Sequence, residues 1–369
     1  MRVLVIGASG NFGRRLTRLL AQDGGFTIIA AGRRQSALDD VAAELACETL
    51  ALDRDNINAT ILNGLGIDLM IDVSGPFQTS DTRVIKAAIA AGVHYVDIAD
   101  GRAFVASVTA FDAAAKAAGV VVIAGASSTP ALSDAAATYI TKEWASIDTL
   151  RVVISPSNRQ PRGIAVIAAI LTYVGQPLRV FSQGAWRTSY GWGNTQRVRL
   201  PNVGRRWASL CDTPDLDQLM MRHNPRVEAS FYASLELSVM HLGLMSLGWF
   251  VRIGLIKSLS PLAAPLTWIA RWLEFFGNDR GGMTVEALGH GQDDQPRRAL
   301  WWLAARGDSG PHVPILGALG IARLLRDDGL TWRGAAACAG FLTLASFEAD
   351  FTTLGIQTGV ELNADHLQL

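Results

Sequence analysis

Seven residues near the start, Gly7-Ala8-Ser9-Gly10-Asn11-Phe12-Gly13, combine small side chains with a spacing suited to phosphate binding. Glycine permits a tight turn and lets backbone N–H groups approach a pyrophosphate at the positive end of a helix. The run follows an apolar segment, residues 2–6, and precedes residues 12–21, where Phe12, Leu16, Leu19 and Leu20 recur at helical spacing. The pattern is GxxGxxG rather than GxGxxG, so Ala8 falls in the tight turn. In its strand–loop–helix context it predicts a dinucleotide site made by Gly7, Ser9, Gly10, Asn11, Phe12 and Gly13, with a ligand-free structural turn as the alternative.

The second apolar run, residues 26–31, selects the dinucleotide. An NAD site places Asp or Glu at the end of this strand, to bind the ribose 2′-hydroxyl. Here Gly32-Arg33-Arg34 follows, and the first carboxylate is Asp39. A 2′-phosphate needs cationic hydrogen-bonding partners, so NADP is the expected cofactor, held by Arg33 and Arg34. With 29 Arg to 4 Lys in the chain, the missing acid weighs more than the arginines present. Asp53, which closes the third run, either borders the adenine pocket or caps the next segment.

Ligands of open parallel sheets bind beyond the carboxyl ends of the strands. By that rule Ser74, Gly75, Pro76 and Phe77, after the fourth run, lie near the cofactor's ribose or nicotinamide. Asp97 either orients that ribose or binds backbone amides. His94 reads as a capping or core histidine. Hydride transfer also needs a group that protonates or stabilises the developing anion. The candidates are Asp100, Ser127 and Ser128 at the sheet's carboxyl edge and Tyr190 in the second half, with water as another donor. Arg187, Tyr190 and Trp192 read either as a wall for a flat or anionic substrate or, as aromatic strand residues more often are, as core or dimer contacts. None of the five tyrosines has Lys four residues on, which disfavours a short-chain dehydrogenase.

The elements that carry these residues alternate. Apolar runs at 2–6, 26–31, 49–52, 69–73, 95–98 and 120–124 are separated by helical stretches at 12–21, 37–45, 82–91 and 104–118. Continuous apolar strands between amphipathic helices predict a parallel sheet covered on both faces, an α/β fold of Rossmann type. Beyond residue 150 the texture changes. Nine of ten tryptophans lie from Trp186 onward, 182–200 and 283–306 read as antiparallel strands, and 226–276 is dominated by apolar helical sequence. The expected organisation is a dinucleotide-binding domain at 1–130, then an α+β substrate and dimerisation domain at 131–309 with a hydrophobic helical insertion near 230–276. Helices in 310–369 are expected to return to the first domain.

Composition narrows the function. The 369 residues carry 33 basic and 33 acidic side chains, without the charge footprint of a nucleic-acid binder. Apolar residues at 49% supply a large core. Cys47, Cys211 and Cys338 are far apart, which argues against a zinc site or a disulfide framework. The longest charge-free apolar stretch of the middle region, 237–251, falls short of the ~20 residues that cross a bilayer. No targeting segment is recognised, and a cytoplasmic protein is expected. The segment 235–272 reads either as helices buried against a second subunit or as a surface touching lipid, where Trp249, Trp268 and Trp272 beside Arg252 and Arg271 would suit an interface.

The glycine loop, Ser74-Gly75-Pro76-Phe77, the run Gly92-Val93-His94-Tyr95-Val96-Asp97-Ile98-Ala99-Asp100, and Gly125 through Ser133 resemble the saccharopine dehydrogenase-like NADP-binding proteins. Asp212-Thr213-Pro214-Asp215-Leu216 and the run Arg306 through Pro314 are similar to that family too. The resemblance implies a Rossmann domain completed by the chain's last helices, an inserted substrate and dimerisation domain, and reduction of C=N, C=O or C=C groups with NADPH. Many relatives carry Asp-x-x-Gly-Glu, whereas this chain has Asp97-Ile98-Ala99-Asp100-Gly101-Arg102, so a saccharopine substrate is not expected. Two functions compete: an NADP(H)-dependent oxidoreductase of a small, lipid-like substrate working as a homodimer, and a non-catalytic NADP(H)-binding protein.

Overall fold

The computed structural model describes residues 1–159 and 164–362. The first stretch runs β1 (Arg2–Ile6), α1 (Asn11–Asp23), β2 (Thr27–Gly32), α2 (Gln35–Leu45), β3 (Glu48–Ala51), α3 (Ala59–Leu65), β4 (Leu69–Asp72), α4 (Arg83–Ala91) and β5 (His94–Asp97). It continues with α5 (Arg102–Ser107), α6 (Asp112–Ala118) and β6 (Val121–Ala124). Then come α7 (Ser133–Ile140), β7 (Trp144–Ser155), α8 (Ile164–Tyr173), β8 (Pro177–Ser182), β9 (Ala185–Tyr190), β10 (Gln196–Leu200) and β11 (Gly204–Leu210). These lead into α9 (Asp215–His223), β12 (Glu228–Ser234), α10 (Ser238–Arg252), α11 (Ala263–Leu273), β13 (Arg280–Gly291) and β14 (Pro296–Arg306). The chain ends with α12 (Val313–Arg326), β15 (Gly334–Ala337), α13 (Ala345–Thr353) and β16 (Gln357–Leu362).

The chain divides into two units. One comprises Met1–Leu132 with Pro311–Leu342, the other Ser133–Gly310 with Thr343–Leu369. The first unit holds a parallel sheet, seven strands among the described residues, in the order β3-β2-β1-β4-β5-β6-β15. Connections run outward from β1 to β3 and then cross back to β4, so β1 and β4 flank the point where strand order reverses. In doubly wound sheets this is where ligands bind. β1 and β4 bury an apolar run, Val3, Leu4, Val5, Leu69, Met70 and Ile71, and β4 ends on Asp72. α1 covers one face through Leu16 and Leu20.

The return of the chain is shorter than expected. α12 and β15 complete the first unit, with β15 pairing in parallel with β6. Gly317 lets α12 approach, since a Cβ there would lie 2.6 Å from the Ala126 backbone. From Thr343 the chain belongs to the second unit, because β16 pairs with β14. The second sheet is mixed, in the order β10-β11-β12-β7-β13-β14-β16, with the β8–β9 hairpin attached at β12. Arg151 on β7 bridges Glu228 on β12 (3.1 Å) and Glu286 on β13 (3.4 Å). Arg298 on β14 binds Glu286 at 2.6 Å, so opposite charges alternate across four strands. The helical insertion is narrower than 230–276, because β12 occupies its beginning. A second core forms where Leu171, Val174, Trp192, Val251, Leu259 and Ala263 pack together. Among the described residues, no helix is long and apolar enough to cross a membrane.

Candidate functional site

The turn from β1 to α1 is shaped by three glycines. Gly7 has φ of 81°, and the amides of Gly7 and Ala8 both donate to the Ala31 carbonyl, at 2.9 and 3.0 Å, tying the loop to β2. A Cβ on Gly13 would lie 2.1 Å from the Gly7 carbonyl oxygen, so only glycine lets the helix begin this close to the strand. Gly10 is the N-cap and offers no side chain to the helix. The first N–H groups of α1 are therefore left for an external acceptor at the positive end of the helix. A Cβ on Gly7 would come within 3.0 Å of Ser74 Cα, which brings the loop after β4 against the glycine loop.

Arg33 and Arg34 follow β2 directly. Both are exposed, and neither guanidinium has a partner among the described residues. Ser9 borders the same strand end, because a Cβ on Gly32 would lie 3.4 Å from Ser9 Oγ. Asn11 and Phe12 open α1, with Asn11 accepting a hydrogen bond from Arg15. Asp53 accepts from the Asp55 amide at 3.0 Å and caps the short turn Arg54–Asn56, the second of its two expected roles.

Under the carboxyl edge of β4 and β5 lies a polar cluster of which the sequence pointed to Ser74 and Asp97 but not to the Arg54–Asp72 pair. The fully buried Asp72 takes Arg54 Nε at 2.7 Å on one carboxylate oxygen. Its other oxygen accepts from the Ser74 amide (2.9 Å) and hydroxyl (2.6 Å), which sets the course of the 74–77 loop. Gly75 and Pro76 lead to Phe77, whose ring meets Phe104 at 5.4 Å and the Arg54 guanidinium at 6.0 Å. Asp97 Oδ1 accepts from the amides of Ala99 (2.9 Å) and Gly125 (2.8 Å), joining the loops after β5 and β6. Burial pushes its carboxyl up to about 7. Asp97 Oδ2, the Tyr95 hydroxyl and Arg54 Nη2 are buried without a well-formed hydrogen bond. Burial also raises the Tyr95 phenol far above its usual range.

The proton-donor candidates occupy different settings. Asp100 is exposed and accepts from Gln78 Nε2 at 3.0 Å. Ser127 and Ser128 are buried after β6, next to Thr129, whose hydroxyl lacks a hydrogen-bond partner. His94 accepts from the Val121 amide through Nδ1 at 3.0 Å, a structural position, and burial lowers its pKa.

In the second unit, Tyr190 is half-buried, with the Arg252 guanidinium 4.2 Å above its ring. Arg187 is exposed and donates to the Ser182 carbonyl at 3.2 Å. Trp192 takes the core role, the second of its expected readings. It lies in the second core, its ring tilted 34° to that of His241 at 5.0 Å, with Nε1 donating to the His241 carbonyl. Its indole fills the space among α8, α10 and α11 rather than facing a ligand.

Comparison with known proteins agrees with this geometry. Residues 3–123 match the family model for the saccharopine dehydrogenase NADP binding domain. No curated protein matches the chain. Among solved structures, the fold is similar to that of apo histidine-tagged saccharopine dehydrogenase (L-Glu forming) from Saccharomyces cerevisiae, with a TM-score of 0.73 and 12% identity, over 98% of this chain and 100% of that one. It is also similar to a homospermidine synthase from Legionella pneumophila in complex with NAD, with a TM-score of 0.60 and 11% identity, over 100% of this chain and 94% of that one. At such identities the likeness is one of fold.

Proposed function

From the match of residues 3–123 to the family model for the saccharopine dehydrogenase NADP binding domain, we propose an NADP(H)-dependent oxidoreductase that acts on a C=N, C=O or C=C group of a small apolar substrate. The observation that carries the cofactor choice is the end of β2, where two unpartnered guanidiniums stand in place of the carboxylate of an NAD site. Structures of the same fold include a dehydrogenase and a synthase in complex with NAD, which supports nicotinamide chemistry.

When bound, the cofactor supplies or accepts the hydride. The amides at the start of α1 hold the diphosphate, Arg33 and Arg34 hold the 2′-phosphate, and the Ser74–Gly75–Pro76–Phe77 loop borders the ribose and nicotinamide. Asp97 shapes this edge by gathering the Ala99 and Gly125 amides. Asp100, Ser127 and Ser128 are the candidate proton donors of the first unit and Tyr190 that of the second, with water as another donor. NADPH oxidation over a panel of imines, enones and ketones tests the reading. Turnover of one class supports it, and saturable NADPH binding without turnover of any class assigns the non-catalytic role instead.

The sides of the insertion that face away from its core expose Trp249, Phe250, Trp268, Trp272, Phe275 and Phe276. Arg252, Lys257 and Arg271 lie on the same segment. Aromatic residues beside cations suit a lipid surface, which supports an apolar substrate. A homodimer that covers this face is the competing arrangement.

A further inference from the structure

Several arginines of the second unit have anionic partners: Arg151 with Glu228, Arg226 with Asp148, Arg297 with Asp293 and Arg298 with Glu286. In one group of four, only Arg199 has such a partner among the described residues. Arg199 on β10 is directly opposite Arg205 on β11, and Arg280 on β13 is directly opposite Arg306 on β14. Like charges facing each other across an antiparallel pair repel and destabilise the sheet. The chain as a whole has equal numbers of acids and bases, so this concentration of cations is local.

Two contacts bring the hairpins together. A Cβ on Gly282 would lie 2.8 Å from Val203 Cγ2, so the β10–β11 turn rests on β13 two residues past Arg280. Arg206, next to Arg205, turns inward and donates to the Arg280 carbonyl at 2.7 Å and to Ser155 Oγ at 2.8 Å. The four outward arginines and Asn202 line a shallow cavity of about 480 Å³ that is wide open to solvent. Arg199 reaches Glu361 at 3.2 Å. The guanidiniums of Arg205, Arg280 and Arg306 are exposed and have no partner among the described residues. A guanidinium presents a planar fork that matches paired oxygens, and three such forks around one cavity call for an anion of at least two charges.

We propose that this cavity binds a compact multivalent oxyanion, phosphoryl or polycarboxylate, and that the anion relieves the repulsion built into the two arginine pairs. The site uses none of the residues assigned to the dinucleotide. An anion that binds only the folded state raises the melting temperature in a saturable way.

The test is thermal melting of the full chain with inorganic pyrophosphate or with citrate, at fixed ionic strength. A saturable rise with either probe is expected, and the tighter probe identifies the anion's class. The variant Arg280→Gln/Arg306→Gln should melt no lower than the wild type without anion, and should need at least tenfold more probe for the same rise. Arg33→Ala should keep the wild-type response. The proposal is overturned if neither probe gives a saturable rise, if the double variant responds like the wild type, or if it melts lower without anion. It is also overturned if the response is lost in Arg33→Ala alone, which would put the anion at the end of β2, where the 2′-phosphate is assigned. No arm uses a nicotinamide cofactor, so failure of the proposed oxidoreductase function would leave these outcomes readable.

Discussion

Replacing Asp97 with asparagine removes a buried, titrating charge while keeping an oxygen for the Ala99 and Gly125 amides. The carboxyl of Asp97 is raised from its ordinary 3.8 to about 7, chiefly by burial. The folded chain thus holds this proton more tightly than the unfolded chain does. Stability from this group is fully present below the unfolded value, falls as pH rises, and levels off above about 7. At ~1.4 kcal/mol per unit, the shift amounts to roughly 4 kcal/mol, of which about 2.5 kcal/mol develops between about pH 5 and pH 8. The asparagine variant does not titrate here, so its advantage over the wild type should grow by about that amount across the interval. Urea denaturation of both proteins at the two pH values, without cofactor, measures the difference. Stability curves for wild type and variant that stay parallel would refute a neutral, destabilising carboxylate at this position.

Other perturbations follow from the same geometry. Arg54→Ala strands the fully buried Asp72 carboxylate and should cost about 3–5 kcal/mol in denaturation, and a loss below about 1 kcal/mol would contradict the pairing. Gly13→Ala forces a Cβ to within 2.1 Å of a backbone oxygen, so NADPH affinity should fall at least tenfold together with the melting temperature. Trp268→Ser/Trp272→Ser should abolish co-flotation with anionic liposomes. Wild-type protein that floats no better than a soluble control would instead favour self-association, which sedimentation would detect.

Much of the first unit could be read locally. β1, β2, β4 and β6 each contain a short apolar run beside a glycine or a loop, and the glycine loop announces itself within seven residues. β15 escaped because Gly-Ala-Ala-Ala has neither β-branching nor alternation, and it exists only by pairing with β6. Residues 104–118 read as one helix but break into α5, a tight turn at Val108–Phe111, and α6. The Arg54–Asp72 pair was hidden because nothing in an 18-residue separation signals that a loop arginine will return to the end of a strand. Trp192 stayed open between a ligand wall and a core because aromatic strand residues look alike in either role, and only the packing of α10 and α11 decides. The reassignment of 343–362 depends on a long-range partner, β14, that no local pattern names.

Fluorescence titration of NADPH and NADH against the wild type and Arg33→Ala/Arg34→Ala bears most directly on the central claim. The account predicts saturable binding of both, NADPH at least tenfold tighter, and a roughly 10- to 100-fold loss for NADPH alone in the variant, as expected for losing one or two charge-assisted hydrogen bonds. Absence of saturable binding, or a preference for NADH that the double substitution leaves unchanged, would contradict it.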